Sequence, residues 1–110
     1  MCRAVWVLVV GSNRDSIQTL RRAAGADVEV VAEATSRDEA LAKADELRLD
    51  VAIIDGETND AGALAESLRV AGLAVVMVGG IGADVGKNGE LANELPGAIT
   101  RALMARRPPR

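Results

Sequence analysis

The sequence predicts a single α/β domain in which helices cover both faces of a parallel sheet. Short apolar runs recur along the chain and end at glycine or polar turns, as buried parallel strands do. Between these runs, apolar residues repeat every three or four positions, which indicates amphipathic helices. Strict alternation of strands and helices implies right-handed crossovers and a sandwich of three layers.

The first half of the chain predicts two strands and two helices. The run Ala4–Val10 is apolar throughout and stops at a glycine, which predicts the central strand. A helix follows over Asp15–Ala24, and a second strand is predicted at Val28–Ala32. The capping-box sequence Ser36–Glu39 then starts a second helix. Its predicted apolar stripe consists of Ala40, Leu41, Ala44 and Leu47.

The run Asp50–Gly56 is the most informative part of the sequence. It predicts a short buried strand that delivers Asp55 to its carboxyl end, which is the end where open parallel sheets hold their ligands. A third helix follows, and a fourth strand is predicted at Leu73–Val78. The apolar stripe predicted for this helix consists of Ala61, Leu64, Leu68 and Ala71.

The regular alternation breaks after the fourth strand. Residues 79–89 are rich in glycine and predict neither a strand nor a helix. A last helix is predicted to begin near Pro96, because proline is tolerated in the first turn of a helix. This helix is marked by Leu95, Ile99 and Leu103. Residues 106–110 are interpreted as a frayed tail or the start of a linker, which leaves one domain over residues 1–105.

Composition excludes several functional classes. The chain has no histidine and one cysteine, Cys2, so the common zinc sites, histidine-dependent catalysis and an internal disulfide are excluded. A net charge of −3 and a single aromatic side chain, Trp6, which we expect in the core, argue against nucleic-acid binding. No stretch has the roughly 20 apolar residues of a membrane span, and the N-terminus lacks the zones of a signal peptide. We therefore expect a cytoplasmic protein.

This order of elements, with an aspartate ending the third strand, resembles the receiver domain of bacterial response regulators. The segments that carry the resemblance are Val7–Val10, Val51–Gly56, Val75–Val78, and Lys87 with the helix behind it. The resemblance implies a flavodoxin-like three-layer αβα sandwich whose parallel sheet has four to five strands in the order 2-1-3-4-5. The fourth-helix region is expected to be shortened or missing.

Receiver domains take part in two-component signalling by accepting a phosphoryl group on the aspartate that ends the third strand. The resemblance therefore implies that Asp55 is the phosphoacceptor position and that Lys87 is a possible counter-ion. Receivers hold Mg²⁺ with an acidic pair after the first strand, which falls here on Gly11 and Ser12. They end the fourth strand with a Ser or Thr that reports the new charge, and glycine replaces it here. The replaced switch positions are Gly79 and Gly80.

The remaining candidate ligands also have ordinary structural interpretations. Asp15, Asp55 and Glu57 are the weak candidates for holding a metal ion. Asp15 alternatively starts the first helix and complements its dipole, while Glu57 is alternatively a solvated loop residue. Asp55 can instead bond the backbone of the turn that follows it. Lys87 either reaches the site or is an ordinary loop lysine.

We favour the hypothesis of a pseudo-receiver, which is a signalling and protein-interaction module and not an enzyme. It would bind a protein partner or itself, possibly through the rebuilt face over residues 79–105, and would need no cofactor. The alternative is a functioning phospho-receiver that uses Mg²⁺ and takes its phosphoryl group from a histidine kinase onto Asp55. A weaker alternative is a sensor of small anions or nucleotides, which would use backbone N–H groups of the turn at Gly11.

Overall fold

Strands and helices alternate through the chain as the sequence predicts. The computed structural model describes residues 5–24, 28–56, 58, 60–79 and 91–105. The elements are β1 (Val5–Val10), α1 (Arg14–Ala23), β2 (Val28–Ala34), α2 (Arg37–Glu46), β3 (Val51–Asp55), α3 (Ala61–Val70), β4 (Ala74–Val78) and α4 (Leu91–Ala105). No helix within these ranges has the length and apolarity that crossing a bilayer requires.

The described strands form one parallel sheet in the order β2-β1-β3-β4. This confirms the predicted flavodoxin-like α/β fold and the predicted order as far as the fourth strand. A fifth strand would fall within residues 80–90, which lie outside the described residues. Because all strands are parallel, the loops that follow β1, β3 and β4 meet at one edge of the sheet.

Two apolar clusters fill the space between the sheet and its helices. One cluster lies between the sheet and the helices α1 and α4, and the other lies between the sheet and the helices α2 and α3. Strand alternation divides β1 between them: Val7 and Val9 belong to the first cluster, and Leu8 and Val10 to the second. Trp6, which we expected in the core, is half-buried against the second cluster.

β2 is longer than predicted because it contains a bulge. Val30 pairs with Val7, but Ala32 pairs with Leu8, so Val31 is an extra residue in the ladder. Beyond the bulge, the side chains that face the core point to the opposite side of the sheet from those before it. Apolar residues before it pack on the α1 and α4 side, and alanines after it pack on the α2 and α3 side.

Side-chain caps are present at the first two helices, and the one at α1 comes from Asn13 and not from Asp15, which the sequence suggested as the start of that helix. The Asn13 side chain accepts a hydrogen bond of 2.9 Å from the Ser16 N–H at the start of α1. At α2, the Ser36 hydroxyl accepts from the Glu39 N–H at 3.2 Å, and the Glu39 carboxylate accepts from the Thr35 N–H at 3.0 Å. The Ser36–Glu39 capping sequence therefore begins α2 as predicted.

Two boundary predictions are wrong. α4 begins at Leu91, so Pro96 lies inside the helix and not at its start. The Thr100 hydroxyl donates to the Pro96 carbonyl at 3.1 Å, and burial of Leu95 and Ile99 holds the helix against the sheet despite the proline. In α3 the helix ends at Val70, which leaves the predicted stripe member Ala71 exposed beyond it. The buried apolar residues of α3 are Ala61, Leu64, Ala65 and Leu68.

Candidate functional site

The sheet places three of the candidate site residues, Gly11, Asp55 and Gly79, at its carboxyl edge. Val10 pairs with Ile54, and Asp55 pairs with Val78. One step further along each strand, the chain reaches Gly11 after β1 and Gly79 after β4. Gly11, which replaces the first residue of the acidic pair, and Gly79, which replaces the switch residue, therefore flank Asp55. This is expected for a site at the carboxyl ends of parallel strands.

Asp55 is completely buried, with 0% of its surface exposed. By strand alternation it shares the sheet face of Val51 and Ile53, which pack in the α1 and α4 cluster. Its backbone carbonyl accepts a hydrogen bond of 2.9 Å from the Thr58 N–H, which starts the turn toward α3.

Position 11 is too closely packed to take a side chain without a shift of its neighbours. A Cβ atom on Gly11 would lie 2.9 Å from Ile17 Cγ1 and 3.1 Å from both the Ile17 nitrogen and the Ser16 Cβ. The Gly11 N–H donates to the Ala34 carbonyl at 3.1 Å, which fixes the backbone in this close approach. Ser12 is exposed. The first position of the acidic pair is therefore closed by the packing of α1 against β1.

Of the other candidate metal ligands, Asp15 lies among the described residues. Asp15 is exposed in the first turn of α1, where its charge complements the helix dipole. Among the described residues, no group of three or more His, Cys, Asp or Glu side chains is placed to hold a metal ion. Glu57, Gly80 and Lys87 lie outside the described residues. The described acids therefore do not fit the Mg²⁺ site that the resemblance implies.

The loops after β3 and β4 meet through their backbones. The Gly56 N–H donates to the Val78 carbonyl at 2.8 Å. A Cβ atom on Gly56 would overlap the Gly79 carbonyl oxygen and would lie 2.9 Å from the Gly79 carbonyl carbon. Gly79 has a φ of 73°, a conformation that favours glycine. Sequence reasoning missed this contact, although a glycine directly after each of the two strands was a visible signal.

Thr58 and Asp60 are further features of this loop that the sequence did not reveal. Thr58 is 6% exposed, and within the described part of the chain its hydroxyl makes no hydrogen bond. Asp60 precedes α3 with a φ of 58° and gives the helix no side-chain cap. Left-handed backbone at a residue other than glycine is uncommon. The turn from Asp55 to α3 therefore contains a buried hydroxyl and a strained backbone position.

Solved structures of receiver domains are similar to this chain. A CheY-like response regulator receiver domain protein from Methanospirillum hungatei JF-1 has a TM-score of 0.71 and 20% identity, with 93% of this chain and 95% of that chain covered. The response regulator domain of Thermotoga maritima CheB has a TM-score of 0.71 and 25% identity, with 94% and 98% covered. RcsB, in a structure of two dimers bound to two parallel DNAs, has a TM-score of 0.74 and 16% identity, with 96% and 66% covered.

Comparison of the sequence with protein-family models and with curated proteins finds no match. The evidence of similarity is therefore structural, and it extends over more than nine-tenths of the chain. It agrees with the strand order of the described sheet. This chain has the fold of the response-regulator receiver domains.

Proposed function

We propose that this chain is a pseudo-receiver of a bacterial signalling pathway, which acts by binding a protein partner or a second copy of itself. It is not an enzyme, it needs no cofactor, it binds no nucleic acid, and it works in the cytoplasm. The observation that carries this proposal is the closed packing at Gly11. It removes the place from which a receiver presents a carboxylate to Mg²⁺ beside Asp55.

The missing carboxylate matters because phosphorylation of an aspartate joins two anions. A divalent cation and a preorganised positive charge normally offset their repulsion. With glycine and serine at positions 11 and 12, the loop after β1 offers no carboxylate to hold that cation. The complete burial of Asp55 adds a second obstacle, because the carboxyl group must first become accessible.

The conformational response of a receiver to phosphorylation would also have to differ in this chain. Gly79 has no side chain that could move toward a new phosphoryl group, and its backbone lies against Gly56. A module that lacks both the cation site and the hydroxyl is better suited to constitutive binding than to a phosphorylation switch.

The region proposed for binding comprises residues 79–105. In the described part of the chain, β4 pairs with β3 and with no other strand. α4 packs on β4 and leaves Met104 81% exposed near its end. An exposed large apolar side chain on this helix offers a contact for a partner.

The alternative is a phospho-receiver that accepts a phosphoryl group from a histidine kinase. The position of Asp55 at the carboxyl end of β3 favours it, with Lys87 as counter-ion and Mg²⁺ as cofactor. The anion-sensor alternative is weaker. The Asn13 side chain already accepts one N–H group at the start of α1, so fewer donors are available there.

Phosphorylation is tested by incubating the protein with acetyl phosphate and Mg²⁺ and measuring its intact mass. We expect that neither the wild type nor the Asp55→Asn variant gains the mass of a phosphoryl group. A single adduct on the wild type that is absent from Asp55→Asn would support the phospho-receiver alternative and contradict the pseudo-receiver. A receiver domain with a complete acidic pair, treated in parallel, verifies that the reagent is active.

A further inference from the structure

Two helices on opposite sides of the sheet each carry a large apolar side chain that is exposed. Val70, at the end of α3, is 83% exposed, and Met104, near the end of α4, is 81% exposed. α3 packs in the apolar cluster that α2 also joins, whereas α4 packs in the cluster of α1. One molecule can therefore make two separate contacts through these side chains at the same time.

The exposed face of α3 carries a small, an acidic and a large apolar residue in that order. Ala63, Glu66 and Val70 lie opposite the buried side of the helix, and all three are exposed. Their spacing of three and then four positions keeps them on one side of the helix. We call these three residues the α3 row.

The exposed face of α4 carries a small, a basic and a large apolar residue. Gly97, Arg101 and Met104 are exposed and are spaced by four and then three positions, and we call them the α4 row. The fold does not require glycine at position 97, because a Cβ atom there would make only an ordinary contact of 3.5 Å with Arg101 Nη1. Glycine is nevertheless an unfavourable residue inside a helix. Its presence leaves space on this face for a side chain of another molecule.

The two rows are complementary when the helices run antiparallel. Reversing the direction of α3 turns its spacing of three and four into four and three, which is the spacing of the α4 row. Helices that cross at about 20° keep successive turns in contact, so three pairs of residues can meet together. Each residue of one row then faces a residue of opposite size or opposite charge. The facing pairs are Gly97 with Val70, Arg101 with Glu66, and Met104 with Ala63.

The charges favour a contact between α3 and α4 over a contact between two identical helices. Glu66 and Arg101 are exposed, and the ion pair found among the described residues joins two other side chains, Arg21 and Glu33. An antiparallel pairing of α3 with α3 that places large against small residues would bring two copies of Glu66 close together. The equivalent pairing of α4 with α4 would bring two copies of Arg101 close together. Because like charges in a contact are unfavourable, the charges select the mixed contact.

We infer that α4 of one copy of this chain binds antiparallel to α3 of a second copy, through the α4 row of one and the α3 row of the other. Because the two rows lie on opposite sides of the sheet, the contact is head-to-tail, and copies form an open chain or a closed ring. The inference deepens the proposed function, because it names a second copy as the partner of the region over residues 79–105. A contact between single helices is small, so we expect weak association.

The first test blocks one row at a time. Val70→Asp places a charge in the α3 row and Met104→Asp places one in the α4 row, and both positions are exposed, so neither change disturbs the core. Sedimentation equilibrium measures the average mass of each protein at concentrations up to about 1 mM, the range of weak dissociation constants. The wild type should gain mass with concentration. Each variant should weaken association by about tenfold or more, as does the loss of a central contact residue.

A mixture of the two variants distinguishes this contact from other kinds of association. Val70→Asp retains an intact α4 row and Met104→Asp retains an intact α3 row, so together they should form a one-to-one dimer that grows no further. Gln18→Glu, a new charge on the exposed surface of α1, is the control and should associate as the wild type does. The inference is overturned if the wild type stays monomeric, if either blocked variant associates as the wild type does, or if the mixture stays monomeric although the wild type associates.

Charge reversal tests the central pair independently. Glu66→Arg alone and Arg101→Glu alone should each weaken association, because like charges then face each other. An equimolar mixture of the two should regain association, since one of its contacts has the wild-type pair and the other has the reversed pair. A mixture that associates no better than its components would overturn the inference.

These outcomes are independent of the test of phosphorylation. A phosphoryl adduct in the mass experiment would contradict the pseudo-receiver and leave the contact between copies unaffected. A wild type that stays monomeric would overturn the contact and leave the pseudo-receiver with a different protein as its partner.

Discussion

At the scale of single residues, Gly11 determines what chemistry the carboxyl edge can perform. Its Cα lies against the first turn of α1, with the nearest side-chain atom 2.9 Å from where a Cβ would be. An acidic residue at this position would need α1 to move away from β1. The packing at Gly11, as well as the sequence, therefore opposes an acidic residue at this position.

We predict that Gly11→Asp destabilises the protein without creating a Mg²⁺ site. Overpacking against Ile17 and Ser16 should lower the free energy of unfolding by about 1–3 kcal/mol. Urea unfolding with and without Mg²⁺ measures both effects. Ser12→Asp is the control, because Ser12 is exposed and a surface substitution changes stability by about 0.5 kcal/mol or less. A Gly11→Asp protein that is as stable as the wild type and gains stability with Mg²⁺ would contradict the closed site.

The residues of the site differ in how far the sequence could predict them. Asp55 was predictable, because a charged residue at the end of an apolar run marks the carboxyl end of a strand. The burial of Thr58 and the left-handed backbone of Asp60 were not predictable. Both depend on how the loop packs after the sheet has formed, and neighbouring sequence does not encode that packing.

At the scale of elements, Asp50 holds the starts of three strands together. Its carboxylate accepts a hydrogen bond from the Trp6 N–H at 2.9 Å, and its own N–H donates to the Trp6 carbonyl at 2.9 Å. The Asp50 carbonyl in turn accepts from the Ala74 N–H at 3.0 Å. One residue before β3 thus bonds both β1 and β4, at the edge opposite Asp55.

Removing the Asp50 carboxylate should destabilise the sheet. Asp50→Ala leaves the part-buried Trp6 N–H without its acceptor, and hydrogen bonds to charged groups contribute about 1.5–3 kcal/mol. We expect a loss of that size in the free energy of unfolding, measured with urea. The control is Asp45→Ala on the exposed surface of α2, which should change stability far less. Equal effects of the two substitutions would contradict this role for Asp50.

Elements were predictable where a local signal defines them, and less so where tertiary packing decides. The capping box at Ser36 is such a local signal, and α2 begins there as predicted. The proline inside α4 was misinterpreted as a helix start, because buried contacts of the same helix outweigh the lost hydrogen bond. The bulge at Val31 lets β2 place apolar residues on both faces of the sheet. It could not be predicted, because it is visible only in the pairing of β2 with β1.

At the scale of the whole molecule, the sheet is shared by two apolar clusters on its opposite faces. β1, β3 and β4 contribute buried residues to both clusters, so neither cluster can be lost without exposing the strands that support the other. This arrangement predicts one cooperative unfolding transition, as is usual for a domain of this length. It also means that α4 is part of the core.

Leu95→Ala tests this cooperativity. Leu95 is fully buried in the α1 and α4 cluster, and its truncation should lower the free energy of unfolding by about 2–5 kcal/mol. Trp6 contacts the other cluster, so its fluorescence reports on the opposite side of the sheet, while circular dichroism reports on all helices.

In Leu95→Ala, Trp6 fluorescence and circular dichroism should change at the same urea concentration, which should be lower than in the wild type. The reason is that separation of α4 exposes strands that also support the cluster next to Trp6. Met104→Ala, at an 81% exposed residue of the same helix, should leave the midpoint nearly unchanged. If circular dichroism in Leu95→Ala changed before Trp6 fluorescence, α4 would be a separate folding unit.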